Sequence, residues 1–207
     1  MYKALTTSIR ELDPQNIPSS RKALLQPLIA YIIKKLGDGE DIRMVFICTH
    51  NSRRSHLSQV WAQALASYFG IQRLYCYSGG TESTALYPAV TGTLRESGFR
   101  IEALSGGENK VYGIKYAENE PAVIGFSKRW DHPFNPATGF VAVMTCSAAD
   151  SDCPFIPGAD LRVSMPFEDP KRYDDSPQQA EKYRECSLQI ATELYDVFTE
   201  ITTGSWR

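Results

Sequence analysis

Two spacings alternate along this chain. Short apolar runs lie at 43–48, 73–78, 140–145 and 161–165, bounded by polar or glycine-containing segments, as expected of strands buried on both faces. Between the first two runs, apolar residues recur at helical spacing. Leu57, Val60, Trp61, Ala64, Leu65, Tyr68 and Phe69 share one face of a helix over 54–69 that Gly70 ends. Pro88 suits the first turn of a further helix ending at Gly98. A last helix is predicted from Ser176-Pro177, where Ser176 and Gln179 have capping-box spacing. Its stripe runs through Tyr183, Cys186/Ser187, Ile190, Leu194, Val197/Phe198 and Ile201. Strand–helix alternation with short loops predicts right-handed crossovers and a parallel sheet.

Two stretches depart from that rhythm. Residues 1–18 are polar, carry Pro14 and Pro18, and read as a loose extension. A helix is predicted from Ser19 or Ser20, with Leu25, Leu28/Ile29, Ile32/Ile33 and Leu36 as its stripe and Gly37-Asp38-Gly39 as its end. Pro27 lies inside it and should kink or divide it. The second departure is 111–127, where two strand-like runs flank Glu118-Asn-Glu-Pro121, a β-hairpin pattern. The expected organisation is an N-terminal helical extension over 1–40 and one α/β domain over 41–207, with the hairpin inserted at about 109–130.

Composition narrows the class. The chain has 207 residues, 43% of them hydrophobic, enough for a sizeable core. A net charge of −2 gives no electrostatic case for nucleic acid or an acidic membrane surface. No apolar run is long enough to span a bilayer, and the first residues have no secretory pattern, so a cytoplasmic protein is expected. Five cysteines, an odd count, argue against a static disulfide framework.

The chemistry concentrates in Cys48-Thr-His-Asn-Ser-Arg-Arg54-Ser55, between the first strand and the first core helix. A helix N-terminus offers free N–H groups and a positive dipole end, which favour an anion and a thiolate. Arg54 supplies a planar fork for a tetrahedral oxyanion, Ser55 a hydroxyl that can donate to the sulfur, and Asn51 a residue that tolerates left-handed backbone. Cys48 could instead be a small core residue, but its place between strand and helix favours nucleophilic use. The candidate oxyanion-binding set is Thr49, His50, Asn51, Ser52, Arg53, Arg54 and Ser55.

With these residues in view, the chain resembles the low-molecular-weight protein tyrosine phosphatase superfamily, and within it the arsenate reductases recharged by thioredoxin. The likeness runs from about 43 to about 201. It rests on the Cys48–Ser55 loop, Ser78-Gly-Gly-Thr-Glu82, Cys146…Cys153-Pro154 and Phe167-Glu-Asp-Pro170. It implies a three-layer fold around a central parallel four-stranded sheet, and an aspartate before a proline that protonates the leaving oxygen. Asp169-Pro170 fits, with Glu168, Asp174 and Asp175 as nearby competitors. His50 stands where the family usually has glycine, as a source of strain or a polar contact at the mouth. Arg53 stands where a second cysteine is common, and adds positive charge. Gln59 replaces the glutamate through which some reductases bind potassium, so no metal or other cofactor is expected.

The resemblance and the strand ends together suggest a relay. Cys146 ends its strand as Cys48 does, on the sheet edge where open α/β sheets bind ligands. Cys48 would attack arsenate, Cys146 would attack Cys48 and release arsenite, and Cys153 would carry the disulfide outward to thioredoxin or a similar dithiol. A helix between Cys146 and Cys153 would separate them by about 10.5 Å, against about 7 Å for a disulfide, so it would have to unwind. The alternative is a phosphatase acting on phosphotyrosine or another phosphomonoester, which needs Cys48, Arg54 and Asp169 but neither later cysteine. A non-catalytic anion-binding or redox-sensing module is a third reading, disfavoured by the intact Cys48/Arg54/Ser55 set. Cys76 and Cys186 read as structural, His56 and His132 as surface or helix-flank residues without zinc-ligand spacing, and Arg95, Lys110, Lys115 and Lys128 as solvated charges.

Overall fold

The computed structural model describes residues 1–152 and 155–204. In chain order the elements are α1 (Lys3–Arg10), α2 (Ser19–Gly37), β1 (Ile42–Cys48), α3 (Arg54–Tyr68), β2 (Leu74–Gly80), α4 (Pro88–Glu96), β3 (Arg100–Ala103), β4 (Tyr112–Lys115), β5 (Val123–Gly125), β6 (Phe140–Met144), α5 (Ser147–Asp152), β7 (Ala159–Ser164) and α6 (Gln179–Thr203). The predicted core strands form one parallel sheet in the order β2-β1-β6-β7. Their C-terminal ends therefore share an edge. This is the expected central parallel four-stranded sheet.

Alternation along β1 sends its side chains into two separate cores. Met44 and Phe46 join the larger one, with Leu57, Trp61, Leu65, Tyr183, Ile190 and Phe198 of α3 and α6. Val45 and Ile47 face the other way, with Phe140, Ala142, Met144 and Cys146, and Cys48, at the strand end, joins that cluster out of alternation. The second core is covered by α5 and by the irregular segment that carries Trp130. The sulfur of Cys48 thus lies on the thinner side of the sheet.

Several expectations need correction. Residues 1–18 are not loose: α1 forms, and Leu5 and Ile9, one helical turn apart, are fully buried. Gly98 makes this docking possible. Its φ is +101°, and a Cβ there would lie 2.4 Å from the Leu5 nitrogen. Pro27 does not divide α2, which runs unbroken. Pro27 and Ala23 both face solvent, so the carbonyl that loses its N–H partner can bond water.

The hairpin forms as β4 and β5, but Arg100–Ala103 pairs with β4 to make a three-stranded antiparallel sheet. Only Ile101 of β3 is buried, too sparse a pattern to read as a strand. α6 begins at Gln179 rather than at Ser176-Pro177. The Gln179 side chain accepts a bond from the Asp175 amide at 3.0 Å, one residue short of the predicted reciprocal cap. No helix among the described residues is long and apolar enough to cross a membrane.

Candidate active site

The loop from Cys48 to Ser55 is held from outside by its carbonyls. Those of Cys48 and Thr49 accept the amides of Thr81 and Glu82 at 3.1 and 2.8 Å. The His50 carbonyl accepts the Ser127 hydroxyl at 2.9 Å, and the Ser52 carbonyl the Tyr87 amide at 3.1 Å. With its carbonyls turned outward, the loop turns its amides inward. Among the described residues, none of the amides from Thr49 to Ser55 has an intramolecular acceptor. That is the construction of an anion nest leading into a helix N-terminus.

Gly80 explains the Ser78-Gly-Gly-Thr-Glu82 pattern. A Cβ there would lie 2.6 Å from the Thr49 carbonyl oxygen and 2.7 Å from the Asn51 nitrogen. The β2 end must therefore press backbone against backbone to support the loop.

Inside the nest, Cys48 Sγ lies 3.1 Å from Ser55 Oγ. Asn51 has φ +44° and donates through Nδ2 to Ser55 Oγ at 2.9 Å. That bond occupies the serine oxygen as acceptor and leaves its hydrogen for the sulfur. Asn51 Oδ1 in turn accepts the Lys128 amide at 2.9 Å. His50 has no positive φ and does not strain the loop. It stands at the mouth with Nε2 3.5 Å from a Glu82 carboxylate oxygen. A cleft of about 600 Å³ opens there, lined by His50, Ser52, Arg53, Tyr87, Tyr112 and Lys171 among others.

The two arginines take different partners. Arg54 donates to the Phe167 carbonyl at 2.8 Å and to Asp169 Oδ2 at 2.5 Å. Of the four acidic candidates, Asp169 is thus the one joined to Arg54. Arg53 does not add free charge to the loop. It donates to Asp174 Oδ2 and, at 2.5 Å, to the Tyr183 hydroxyl, and its guanidinium lies 4.1 Å above the Tyr87 ring. Burial opposes its charge but is outweighed by Tyr183 and Asp174, which raise its pKa.

Cys146 follows β6 beside the loop. It is buried, its Sγ accepts the Ala149 amide at 3.4 Å, and it lies 3.6 Å from the Thr49 hydroxyl. α5 is tied to β7 by Asp150, which pairs with Arg162 at 2.6 Å and accepts the Ser164 hydroxyl at 2.8 Å. Cys153 lies outside the described residues. Cys76 and Cys186 are free and buried, and burial pushes the Cys76 thiol well up and the Cys186 thiol up to about 12.

Two residues read as surface lie beneath the site. His56 is fully buried, its Nδ1 3.2 Å from Ser78 Oγ and its Nε2 without a hydrogen-bond partner. Burial, then the charge of Lys128, lowers its pKa to about 3. Lys128 is 2% exposed, 4.4 and 5.3 Å from the ring centres of Phe126 and Phe134, with Nζ 3.3 Å from the Phe126 carbonyl. Burial lowers its pKa to about 7. No local pattern marks either residue, because the segment that covers them arrives from after β5. Gln59 is also buried and donates to the carbonyls of Cys76 and Ile124 at 3.1 and 3.4 Å. Among the described residues, no three His, Cys, Asp or Glu side chains are grouped to hold a metal ion.

Residues 43–112, which include this loop, match the model of the low molecular weight phosphotyrosine protein phosphatase family. No curated protein matches the sequence. The fold is similar to the low molecular weight phosphotyrosine phosphatase VcLMWPTP-2 of Vibrio cholerae O395, at 12% identity and TM-score 0.53, covering 80% of this chain and 99% of that one. It is also similar to a mutant of YwlE from Bacillus subtilis, at 11% identity and TM-score 0.51, covering 78% and 99%. An arsenate reductase in its phosphate-binding state matches at 18% identity and TM-score 0.50, covering 77% and 98%.

Proposed function

We propose, starting from a chain with the low-molecular-weight phosphatase fold and that family's sequence pattern over residues 43–112, that this protein is a thiol-dependent arsenate reductase. The oxyanion sits among the amides of residues 49–55 with Arg54 as its counter-charge. Cys48 attacks arsenic as Asp169 protonates the departing oxygen, giving a sulfur–arsenic(V) bond. Cys146 attacks Cys48 Sγ. A Cys48–Cys146 disulfide forms as the Cys48–arsenic bond breaks, that bond's electron pair goes to arsenic, and arsenite departs. Cys153 then attacks Cys146, frees Cys48, and presents a Cys146–Cys153 disulfide to a dithiol such as thioredoxin. A reducing cytoplasm would suit this cycle.

One observation carries the choice of reductase. Cys146 is a buried thiol within 3.6 Å of the Thr49 hydroxyl, in the same apolar cluster as Cys48. A phosphatase needs no thiol there. The Ala149 amide, donating to Cys146 Sγ, holds that sulfur in place beside the loop.

A second reading, hydrolysis of a phosphomonoester such as phosphotyrosine, is favoured by the 600 Å³ cleft with Tyr87 and Tyr112 in its lining, which a bare oxyanion would not fill. It uses the same Cys48, Arg54 and Asp169. Cys146→Ser separates the two. It should abolish multiple-turnover arsenate reduction with thioredoxin and leave aryl phosphate hydrolysis within about threefold of the parent, since acid and nucleophile are untouched. Cys48→Ser should lose both. Unchanged arsenate turnover in both Cys146→Ser and Cys153→Ser would refute the relay and leave the phosphatase reading.

A further inference from the structure

The two arginines of the loop grip one segment at two points. Arg54 holds its near end, through the Phe167 carbonyl and Asp169. Arg53 holds its far end, through Asp174. Between them lie Pro170–Tyr173, a single 3-10 turn whose first amide, that of Lys171, is capped by Asp169 Oδ1 at 3.0 Å. Asp169 is therefore tethered to the nucleophile's loop from both sides.

The Arg53 grip is built more heavily than a surface pair. Its side chain is 11% exposed and that of Asp174 is 16% exposed. The Tyr183 hydroxyl accepts from Arg53 Nε and donates to Asp174 Oδ1, both at 2.5 Å, closing a three-membered ring of bonds. Tyr183 is fully buried in α6, and its ring stacks on Tyr87 at 5.7 Å between centroids. Tyr87 in turn lies under the Arg53 guanidinium and precedes α4. Ring, carboxylate and guanidinium thus fix one another against two helices, and little conformational entropy remains to be lost when Asp169 acts.

We propose that Arg53, with Tyr183 and Asp174, is a positioning residue for Asp169, holding the 167–174 segment so that this carboxyl meets the leaving oxygen. The proposal rests on the reading that Asp169 is the acid. It gives a role to one of the two loop positions, His50 and Arg53, where the sequence departs from the family pattern.

The test compares two esters at the parent's pH optimum: phenyl phosphate, whose leaving group needs a proton, and p-nitrophenyl phosphate, whose leaving group needs it less. Arg53→Gln should lower kcat on phenyl phosphate at least about tenfold and on p-nitrophenyl phosphate less than about threefold, a fraction of the 10²–10⁴ available to an acid. Tyr183→Phe, which keeps the ring packing, should show the same selectivity with a smaller loss. Asp169→Asn combined with Arg53→Gln should be no slower than Asp169→Asn alone, because both act through one group.

Equal losses on the two esters, or multiplying losses in the double variant, would overturn the proposal. Amide exchange of residues 167–176 gives a reading independent of turnover: it should accelerate in Arg53→Gln while that of α3 stays unchanged. Unaltered exchange in the segment would equally overturn it. If Asp169→Asn slows both esters alike, the acid assignment fails, and the exchange result alone then decides whether the clamp exists.

Discussion

The convergence of Cys48, Asn51, Arg54 and Ser55 in one loop was legible from sequence because it is local: eight consecutive residues, a strand before and a helix after. His56 and Lys128 were not. Their burial is decided by Ser78 on one side and by Phe126 and Phe134 on the other, and nothing within a few residues of His56 signals that. The buried lysine carries a measurable consequence. Its pKa falls from 10.5 to about 7 on folding. Between those values the unfolded chain keeps a proton that the folded chain has released, so stability rises with pH across that window, and below pH 7 the full desolvation penalty is present. Lys128→Met should therefore be more stable than the parent at pH 6, with the difference shrinking towards pH 10, in urea denaturation at the two pH values. A constant difference would show that Lys128 does not titrate in this way.

Among the elements, the four core strands, α3 and α4 follow the pattern of apolar spacing, since each buries a dense stripe. α1 and β3 were hidden because each rests on one or two buried residues: Leu5 and Ile9 in α1, Ile101 in β3. Their stability comes from what they dock against rather than from their own propensity. Two substitutions test this for α1. Leu5→Ala should destabilise the whole protein by about 2–5 kcal/mol through loss of a fully buried side chain. Gly98→Ala should cost more than about 1 kcal/mol, because its φ is positive and the new Cβ meets the α1 backbone. Denaturation midpoints within error of the parent for both would mean that α1 contributes nothing to the cooperative unit.

For the molecule as a whole, a parallel sheet brings the ends of β1 and β6 to one edge, and with them Cys48 and Cys146. That proximity follows from topology and could be argued from sequence. The pairing of each loop arginine with its own carboxylate could not, because 115 residues separate Arg54 from Asp169 and 121 separate Arg53 from Asp174. Spacing alone leaves four acidic residues within eight positions; the resemblance points to Asp169, and the fold pairs that one with Arg54.

The proposed chemistry requires an oxyanion and the Cys48 sulfur to share one nest. Time-resolved carboxymethylation by iodoacetate, located by mass spectrometry, measures this directly. Cys48 should react first among the five cysteines, and millimolar arsenate or inorganic phosphate should slow it at least tenfold while leaving the other sites unaffected. Reaction of Cys48 no faster than that of buried Cys76 and Cys186, or without protection by either anion, would contradict the account.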